Sequence, residues 1–481
     1  MDQEYDLSII QMNDLHGYLE PHWEYLRKDG EDYYEKLGGL SRIAGYIKRA
    51  RENSPGSVVV LDNGDTIHGT YPVVKTKGKL MIPILNGIVF DAWTAHWDFA
   101  YGPGYLIDFS KKLDYPLLAI NCYHEDSDEP VFDPYRMVSR NGMNIGIIGI
   151  ANRIVDRTMP DHFSEGIYLT LGKEELPDYI KELKGEGADL ILVLAHLGYP
   201  QEVKLAREVE GIDVLVSGHT HNRLYRPSVV DGTIVIQSGC HGSFLGRLDL
   251  GLDDSGISDF NHELIKMDHL VKKDRIIDDM VEKSMKPYRK KLGKVVGRTK
   301  IGLLRDNVLE TTMDNLLLES LMDSAGSEMA FSNGWRYGTP VPPGEVTMEA
   351  LWNMIPVDPP VSTCDIKGSE LWKMMEENLE RTFSGDPYEQ MGGYVKRCSG
   401  INVYFKVENP GGLRIQEFFV GDDRLDPNRY YSASFVTSQG IPSKYGINRR
   451  DLGYSAIEVL RKYVEKNTPV DPGIKNSIVP I

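Results

Sequence analysis

Residues 189–221 read DLILVLAHLGYPQEVKLAREVEGIDVLVSGHTH, and this stretch decides the fold class. Residues 189–195 and 213–217 have the apolar composition of buried strands, and residues 201–209 between them have helical periodicity. A strand, a helix and a second strand in this order form the repeating unit of an α/β layered fold. Both strands are followed at once by histidine-containing segments, so the same stretch also predicts a site.

The alternation of strands and helices extends outward over the first ~270 residues. Further strands are predicted over residues 6–12, 57–61, 116–120, 144–150 and 233–237, and helices over residues 40–51 and 173–184. A second α/β region contains predicted helices over residues 312–324 and 368–383 and strands over residues 400–405 and 414–420. Between the regions, Ile276, Met280 and Met285 recur at roughly helical spacing, which predicts an exposed linker helix. The predicted domains are therefore residues 1–271 and 295–481, joined by a helix over residues 272–294.

Composition excludes several classes of protein. The 481 residues are 41% hydrophobic and 26% charged, which is typical of globular proteins. No apolar run reaches the ~20 residues of a membrane-spanning helix, so no membrane partner is expected. The net charge of −17 argues against a nucleic-acid polymer as partner, because Lys and Arg neutralise its phosphates. A small anionic substrate held by metal ions stays possible, and the oligomeric state is left open.

The cysteines and the N-terminus bear on the cellular compartment. Cys122, Cys240, Cys364 and Cys398 contain no CxxC pair and predict free thiols. The N-terminus, MDQEYD, lacks the basic and apolar segments of a signal peptide. The expectation is a cytoplasmic protein as the sequence stands, and a periplasmic or extracellular one if a leader was removed.

Metal-binding residue types follow several predicted strands of the first domain. These groups are Asp14-Leu15-His16, Asn63-Gly64-Asp65, His196 and Gly218-His219-Thr220-His221. Loops at the carboxyl ends of strands converge on one crevice in α/β sheets, so the groups are expected to meet there. Asp and His are ligands for borderline divalent metals. Extended backbone in Asp-x-His and His-x-His would turn both side chains to one face.

A carboxylate shared by two ions, here Asp65 by its central place, predicts a dinuclear centre. Two such ions activate water and clamp the oxygens of an ester under attack. The expected cofactors are two divalent ions: Mn, Zn or Co.

These motifs resemble the blocks of the calcineurin-like metallophosphoesterases, and the whole chain resembles the two-domain 5′-nucleotidase/UDP-sugar hydrolase family. The resemblance implies a four-layer α/β sandwich domain with the dimetal site, followed by a smaller α/β domain that binds substrate. It also adds His96 and divides the ligands into two sets, which are Asp14, His16, Asp65 and His221 for one metal and Asp65, His96, His196 and His219 for the other.

One block departs from the family. Where the family reads Gly-Asn-His-Glu-Phe-Asp-Tyr-Gly, residues 95–102 read AHWDFAYG. The metal-binding Asn becomes His96, the catalytic His becomes Trp97, and the Asp that orients it becomes Ala100. An indole N–H only donates a hydrogen bond, whereas an imidazole also exchanges protons. The altered block resembles that of the thiosulfohydrolases of bacterial sulfur oxidation.

The second domain carries the implied substrate contacts. Residues 331–339, FSNGWRYGT, and 386–393, DPYEQMGG, resemble the same thiosulfohydrolase branch. The resemblance implies that Asn333, Gly334 and Arg336 contact the substrate, with Arg336 facing its anion. Nucleotidases hold the base between two aromatic rings; Tyr394 or Tyr388 is a candidate for one face, and the second position falls near residues 435–437.

Two further histidines border the predicted crevice. Either His68 or His241 is a candidate for replacing the missing acid, against the alternative of a supporting role. The candidate catalytic residues are Asp65, His96, Trp97, Arg336 and His241. The remaining histidines carry no spacing argument and are read as structural: His22, His124, His162, His262 and His269.

Three functions remain open on this sequence. The first is metal-dependent hydrolysis of phosphate monoesters of nucleotides by activated hydroxide, as in nucleotide catabolism. The second is hydrolysis at sulfur of a thiosulfonate carried by a protein. The third is ligand binding by a protein that kept the metals and lost turnover with the His–Asp pair.

Overall fold

The computed structural model describes residues 5–253 and 256–481. Residues 1–4, on which the expectation about a leader partly rests, lie outside the described residues. The chain forms two compact units, Met1–Glu24 with Glu35–Pro287 and Tyr25–Tyr34 with Tyr288–Ile481. No described helix is both long enough and apolar enough to cross a bilayer.

The first unit alternates strands and helices. Its strands are β1 (Leu7–Met12), β2 (His22–Lys28), β3 (Glu31–Leu37), β4 (Val58–Asp62), β5 (Ala92–Trp93), β6 (Cys122–His124), β7 (Tyr135–Arg140), β8 (Met143–Ile150), β9 (Ile167–Leu169), β10 (Leu190–Ala195), β11 (Val214–Ser217), β12 (Ser228–Val230), β13 (Thr233–Ile236), β14 (Phe244–Asp253) and β15 (Gly256–Lys266). Its helices are α1 (Leu40–Asn53), α2 (Tyr71–Thr76), α3 (Ile82–Ile88), α4 (Pro103–Ser110), α5 (Val155–Thr158), α6 (Leu176–Gly185), α7 (Tyr199–Glu208) and α8 (Arg275–Met285). β2 and β3 are paired, and their ends at residues 25–34 group with the second unit.

Two sheets face each other in this unit, in the orders β15-β14-β1-β4-β5 and β12-β13-β11-β10-β8-β7. A buried apolar cluster lies between them and includes Ile9 and Leu61 of one sheet and Leu192 and Val216 of the other. A second cluster packs α6 and α7 on the opposite face of the β10 sheet. On the other side, α1 packs on β4, and α8 packs on α1 and α3. The result is a four-layer α/β sandwich, as expected from the family resemblance.

The second unit is also α/β. Its strands are β16 (Val295–Thr299), β17 (Met329–Ser332), β18 (Gly344–Thr347), β19 (Pro360–Lys367), β20 (Arg397–Ser399), β21 (Ile401–Phe405), β22 (Ile415–Val420), β23 (Asp423–Arg424), β24 (Tyr430–Val436), β25 (Ile447–Ser455) and β26 (Ile478–Pro480). Its helices are α9 (Arg289–Leu292), α10 (Thr312–Ala325), α11 (Met348–Met354), α12 (Gly368–Phe383), α13 (Thr437–Gly440) and α14 (Ala456–Asn467). The sheets β20-β17-β24-β19-β25 and β23-β22-β21-β26 share one buried core with α12.

Two sequence expectations need correction. Residues 116–120 do not form a strand: Leu117 and Leu118 make only isolated bridges, to Trp93 and Asp133. The neighbouring strand β5 is itself only two residues long, so no ladder extends along this segment. The predicted linker is two helices, α8 and α9, and α8 is amphipathic rather than exposed. Ile276 is 64% exposed, whereas Ile277, Val281 and Met285 are buried, so α8 buries one face and exposes the other.

Candidate active site

The candidate site forms where parallel strands of both sheets end in register. In one sheet Met12 pairs with Asp62, and Asp62 pairs with Trp93. In the other sheet Ala195 pairs with Ser217. Because each strand ends at the same edge, the loops that carry the predicted residues leave each sheet together. The short strand β5 places His96 by the same rule, although only the resemblance had singled it out.

Asn63 links the edges of the two sheets. Its Nδ2 donates hydrogen bonds to the carbonyls of Ala195 (3.0 Å) and Val216 (2.7 Å), which belong to the other sheet. Gln11 Nε2 donates to Asn63 Oδ1 (2.8 Å) and to the Ser217 carbonyl (2.6 Å). These buried amides fix the separation of the two edges, because each bond would be costly to break away from water. The loops are therefore held at a fixed spacing across the sandwich.

The structure brings all seven predicted ligands together in two overlapping groups. The members are Asp14, His16, Asp65 and His221 in one group and Asp65, His96, His196 and His219 in the other. Within each group, one nitrogen or carboxylate oxygen from every residue lies within 4.8 Å of the others. Asp65 belongs to both groups, which is the position that the sequence assigned to it.

The donor atoms have a spacing that suits a shared cation. His221 Nε2 lies 3.1 Å from Asp14 Oδ1, and His16 Nε2 lies 3.2 Å from His221 Nε2. His196 Nε2 is 3.3 Å from Asp65 Oδ2 and 3.6 Å from Asp14 Oδ1. Ligand atoms ~2.1 Å from one ion lie ~3 Å from each other, so these separations fit. Mixed imidazole and carboxylate donors favour a borderline divalent metal.

Electrostatics at the site also favour a cation. Burial raises the pKa of Asp65, but His96 and His196 outweigh it and hold the pKa of this carboxyl well below its usual range. Burial lowers the pKa of His196, but the carboxylates of Asp65 and Asp14 raise it to about 10. Burial lowers the pKa of His16 to about 3. The two carboxylates thus attract one positive charge to the centre of the group, which a proton or a metal ion can supply.

The backbone at these ligands is not extended, contrary to the sequence expectation. Positive φ angles occur at Asp14 (52°), His16 (48°), Asp65 (53°), His219 (68°) and His221 (58°). Such conformations cost ~1–3 kcal/mol each in non-glycine residues and persist where the surroundings impose them. Tight left-handed turns, rather than the alternation of a strand, place Asp14 and His16 in one donor group and direct His219 and His221 to different groups.

Asp98 is a positioning residue that sequence reasoning missed. Its buried carboxylate accepts hydrogen bonds from the backbone N–H groups of Asp65 (2.9 Å), Thr66 (3.0 Å) and Ile67 (2.9 Å). The backbone N–H of Trp97 donates to Asp65 Oδ1 (2.6 Å). The segment around residue 97 therefore fixes Asp65 from both sides of the loop. The available signal was an acidic residue inside the altered block, two positions after His96.

The Trp97 side chain packs between two aromatic rings of neighbouring loops. Its ring stacks on His68, with centroids 4.9 Å apart and planes 19° apart, and meets Phe163 edge-on at 5.7 Å. Burial lowers the pKa of His68 to about 4. The His68 carbonyl lies 3.3 Å from His16 Nδ1, so this loop also orients a predicted ligand.

His241 lies beside the first ligand group. Its ring centroid is 6.0 Å from that of His16 and 6.1 Å from that of His221, and its backbone N–H donates to the Asp14 carbonyl (2.7 Å). Burial holds the pKa of His241 well below its usual range. A neutral imidazole offers a hydrogen bond or a metal-ligating nitrogen, and it is a poor proton donor near neutral pH.

In the second unit, the predicted substrate residues form a tight loop. Tyr394 Oη donates to the Gly334 carbonyl (2.9 Å), and Arg336 donates through Nη2 to the Gly392 carbonyl. Thr437 Oγ1 donates to Asn333 Oδ1 (3.1 Å). Gly334 has a φ of 69°, and a Cβ there would lie 2.8 Å from Arg397 Cγ, so a larger residue would be excluded.

A buried group of charges, which sequence reasoning missed, supports this loop. Asp314 accepts from Arg305 Nη2 (2.8 Å) and forms an ion pair with Arg397 Nε (3.0 Å), and all three side chains are almost fully buried. The guanidinium carbons of Arg336 and Arg397 lie 5.6 Å and 5.2 Å from the centre of the Tyr394 ring. One carboxylate faces several guanidinium groups, so the region carries excess positive charge and suits an anion.

The expected pair of base-stacking rings is not evident among the described residues of this unit. Tyr388 is 8% exposed and Phe435 is 4% exposed. The Arg449 guanidinium lies 4.6 Å from the centre of the Phe435 ring. Tyr394 is half-buried and is the more accessible of the three rings. The candidates at residues 388 and 435 are therefore buried core residues.

Similarity to known proteins is consistent with this geometry. The family described as 5′-nucleotidase, C-terminal domain, matches residues 295–438. The trifunctional nucleotide phosphoesterase YfkN of Bacillus subtilis is 22% identical over 99% of this chain, which spans 35% of that protein.

Two solved structures share the fold of the whole chain. The sulfate thiohydrolase SoxB of Thermus thermophilus aligns with a TM-score of 0.92 at 23% identity, covering 100% of this chain and 98% of that chain. A 5′-nucleotidase precursor, also from Thermus thermophilus, aligns with a TM-score of 0.86 at 23% identity, covering 99% of each chain. Residues 295–438 therefore match the C-terminal domain family of the 5′-nucleotidases, and the whole chain has the two-domain fold of these solved structures.

Proposed function

We propose that the protein is a dimetal-dependent hydrolase that cleaves phosphate monoesters of nucleotides. The observation that carries this proposal is the shared place of Asp65 in two groups of buried Asp and His donors. One group would hold one ion through Asp14, His16, Asp65 and His221, and the other would hold a second ion through Asp65, His96, His196 and His219. Two bound divalent ions would supply a nucleophile from water near neutral pH and neutralise the charge of the ester oxygens.

Other residues of the chain position the metal ligands and the substrate. Asp98 holds the backbone N–H of Asp65, and the Trp97 backbone N–H holds Asp65 Oδ1, so that the carboxylate keeps its direction. We assign the second unit the role of binding the substrate anion through Arg336, in a region whose positive charge Arg305 and Arg397 increase. Asn333 and Gly334 shape that loop, and Tyr394 offers a ring for stacking.

Proton transfer to the leaving group is expected to be slow at this site. Trp97 donates a hydrogen bond at most, and His68 and His241 are held neutral by burial. Esters with good leaving groups, such as p-nitrophenyl phosphate, need little proton donation and should react faster than AMP. General acid–base groups typically contribute ~10²–10⁴-fold, which sets the size of the expected deficit on AMP.

The same observation favours a second candidate, hydrolysis of an S-linked sulfonate. Water would attack the sulfonate sulfur, the S–S bond would break, and the products would be a thiol and hydrogen sulfate. A thiolate is a good leaving group and needs no proton donor, which suits a site with an indole at residue 97. The closed environment of Phe435 also favours a substrate without a nucleobase.

A substrate panel separates these candidates. The chain would be stripped with a chelator, reloaded with Mn²⁺, Zn²⁺ or Co²⁺, and assayed on AMP, p-nitrophenyl phosphate and S-sulfocysteine. Turnover of both phosphate esters supports the first proposal, and turnover of S-sulfocysteine alone supports the second. Metal binding without turnover of any substrate would overturn both and leave a metal-retaining binding protein.

A further inference from the structure

A third group of metal-ligating side chains lies beside the predicted dimetal site. His22 and Glu24 are two positions apart on β2, so their side chains project from the same face of the strand. His241 approaches them from the turn between β13 and β14. One donor atom from each of the three residues lies within 4.8 Å of the others. From the sequence, His22 was expected to be structural, and Glu24 had no predicted role.

The carboxylate of this group is deeply buried. Glu24 and His241 are each 4% exposed. Ser243 Oγ donates to Glu24 Oε2 (2.7 Å) and lies 3.1 Å from His22 Nε2, so one hydroxyl occupies the space between these two donors. Glu24 Oε1 forms an ion pair with Arg223 Nη2 (2.8 Å). The arginine therefore holds one carboxylate oxygen, and the other accepts from a neutral hydroxyl beside the histidines.

The backbone shapes this group closely. Gly38 has a φ of 81°, and a Cβ there would lie 2.7 Å from His22 Cε1, so the imidazole packs directly on the glycine. The centroids of the His22 and His241 rings are 5.7 Å apart, with planes at 89°. Buried imidazoles packed this tightly lose little freedom when they bind an ion.

We propose that His22, Glu24 and His241 form a third cation site, selective for a borderline divalent ion such as Zn²⁺ or Co²⁺. Two imidazoles and one carboxylate form a common donor set for zinc, with a further position left for water. Magnesium and calcium prefer oxygen donors and should bind poorly here. This site does not depend on the proposed reaction, because none of its three ligands belongs to the two donor groups that share Asp65.

The third site should bind more weakly than the dimetal centre. Arg223 places a positive charge on the same carboxylate that the ion would use. The rings of His16 and His221, both predicted ligands of a neighbouring ion, lie 6.0 Å and 6.1 Å from that of His241. Repulsion from the Arg223 guanidinium and from an ion held by His16 and His221 lowers the affinity of this site for its own ion. The third site should therefore fill late in a metal titration. An ion here would also fix His241 against the first ligand group.

The test is a Co²⁺ titration of the chelator-stripped full chain, followed by elemental analysis and by anomalous diffraction at the cobalt edge. Wild type should bind about one equivalent more than the His22→Ala variant, because a lost ligand removes the weak site. Ser243→Ala removes the bridging hydroxyl but keeps all three ligands, and it should retain the extra equivalent. His269→Ala, at an exposed position, controls for loss of a surface histidine.

Arg223→Gln supplies an opposite expectation. If the guanidinium competes with an ion for Glu24, this variant should bind the last Co²⁺ ~10-fold more tightly or better, because it removes a positive charge that repels the ion. Equal stoichiometry in wild type and His22→Ala, with no anomalous peak among the three side chains, would overturn the proposal. An affinity for the last Co²⁺ that Arg223→Gln leaves unchanged would also overturn the proposal. If the dimetal centre does not form, the number of Co²⁺ ions bound per chain should fall equally in every variant, and the differences between variants should remain.

Discussion

The two units concentrate charge of opposite sign by different means. In the first unit, two buried carboxylates, Asp14 and Asp65, face a ring of imidazoles, and the group attracts a cation. In the second unit, one buried carboxylate, Asp314, faces Arg305 and Arg397, and the group retains excess positive charge. The first arrangement binds the catalyst's metal ions in our proposal, and the second binds the anion on which they act.

The difference extends to the backbone. Several ligands of the first group occupy left-handed turns directly after strands, so sheet register sets their positions. The arginines of the second group come from a loop before α10 and from β20, and Asp314 in the first turn of α10 holds them together. The ligands of the first site are positioned by several strands at once. The arginines of the second site are positioned mainly by one carboxylate, that of Asp314. Substitutions should therefore act differently in the two units.

The largest effect is expected for Asp65→Ala. Because this carboxylate belongs to both donor groups, its loss should lower metal content at both positions and reduce kcat/KM by ~10³-fold or more. Elemental analysis after reconstitution and steady-state kinetics measure the two effects. Asp62→Asn is the matched control: Asp62 is buried nearby, burial raises its pKa to about 8, and the amide keeps its acceptor oxygen. Full metal content in Asp65→Ala would refute the shared ligand.

The next effect concerns the altered block. Trp97→His with Ala100→Asp restores the pair found in the family and should raise the rate on AMP relative to p-nitrophenyl phosphate. The gain should approach the ~10²-fold lower limit for general acid catalysis. Trp97→His alone controls for loss of the indole. Fast wild-type hydrolysis of AMP, with no change of the substrate ratio in the double variant, would show that the site never needed the pair.

A smaller effect is expected in the second unit. Arg336→Ala should raise KM for an anionic substrate ~10- to 100-fold with little change of kcat, since a charge-assisted hydrogen bond contributes ~1.5–3 kcal/mol. Arg424→Ala removes an exposed guanidinium that is paired with Glu417 and serves as control. A loss in kcat at constant KM would instead place Arg336 in the reaction itself.

The smallest effect is a pH dependence of stability. Burial lowers the pKa of Lys396 from 10.5 to about 8, so the unfolded chain binds more protons between these values. Stability should therefore rise with pH across this window, by about 3 kcal/mol at most. Urea unfolding of wild type and Lys396→Met at pH 7 and pH 10 isolates the contribution, which should disappear in the variant. A difference between the two proteins that is constant with pH would contradict the buried ammonium.

Much of the fold could be predicted from the sequence because its signals are local. Apolar runs predicted β10 and β11 to within a residue or two, and helical periodicity predicted α12 at Gly368–Phe383. The position of Asp14, His196 and His219 after strands predicted that they would meet, since parallel strands end at a common edge. The short strand β5 and the residues 116–120 were less predictable, because two-residue pairing leaves no periodicity.

Other features were decided only by tertiary structure. The left-handed turns at Asp14 and His16 depend on contacts from neighbouring loops, and no local pattern of Asp-x-His distinguishes them from extended backbone. Asp98 acts on a loop more than 30 positions away, and Arg397 meets Asp314 across still more of the chain. His22 and His241 are brought together by the packing of β2 on the turn before β14. The sequence determines which residues follow each strand. Long-range packing determines which distant side chains come together around one charged group.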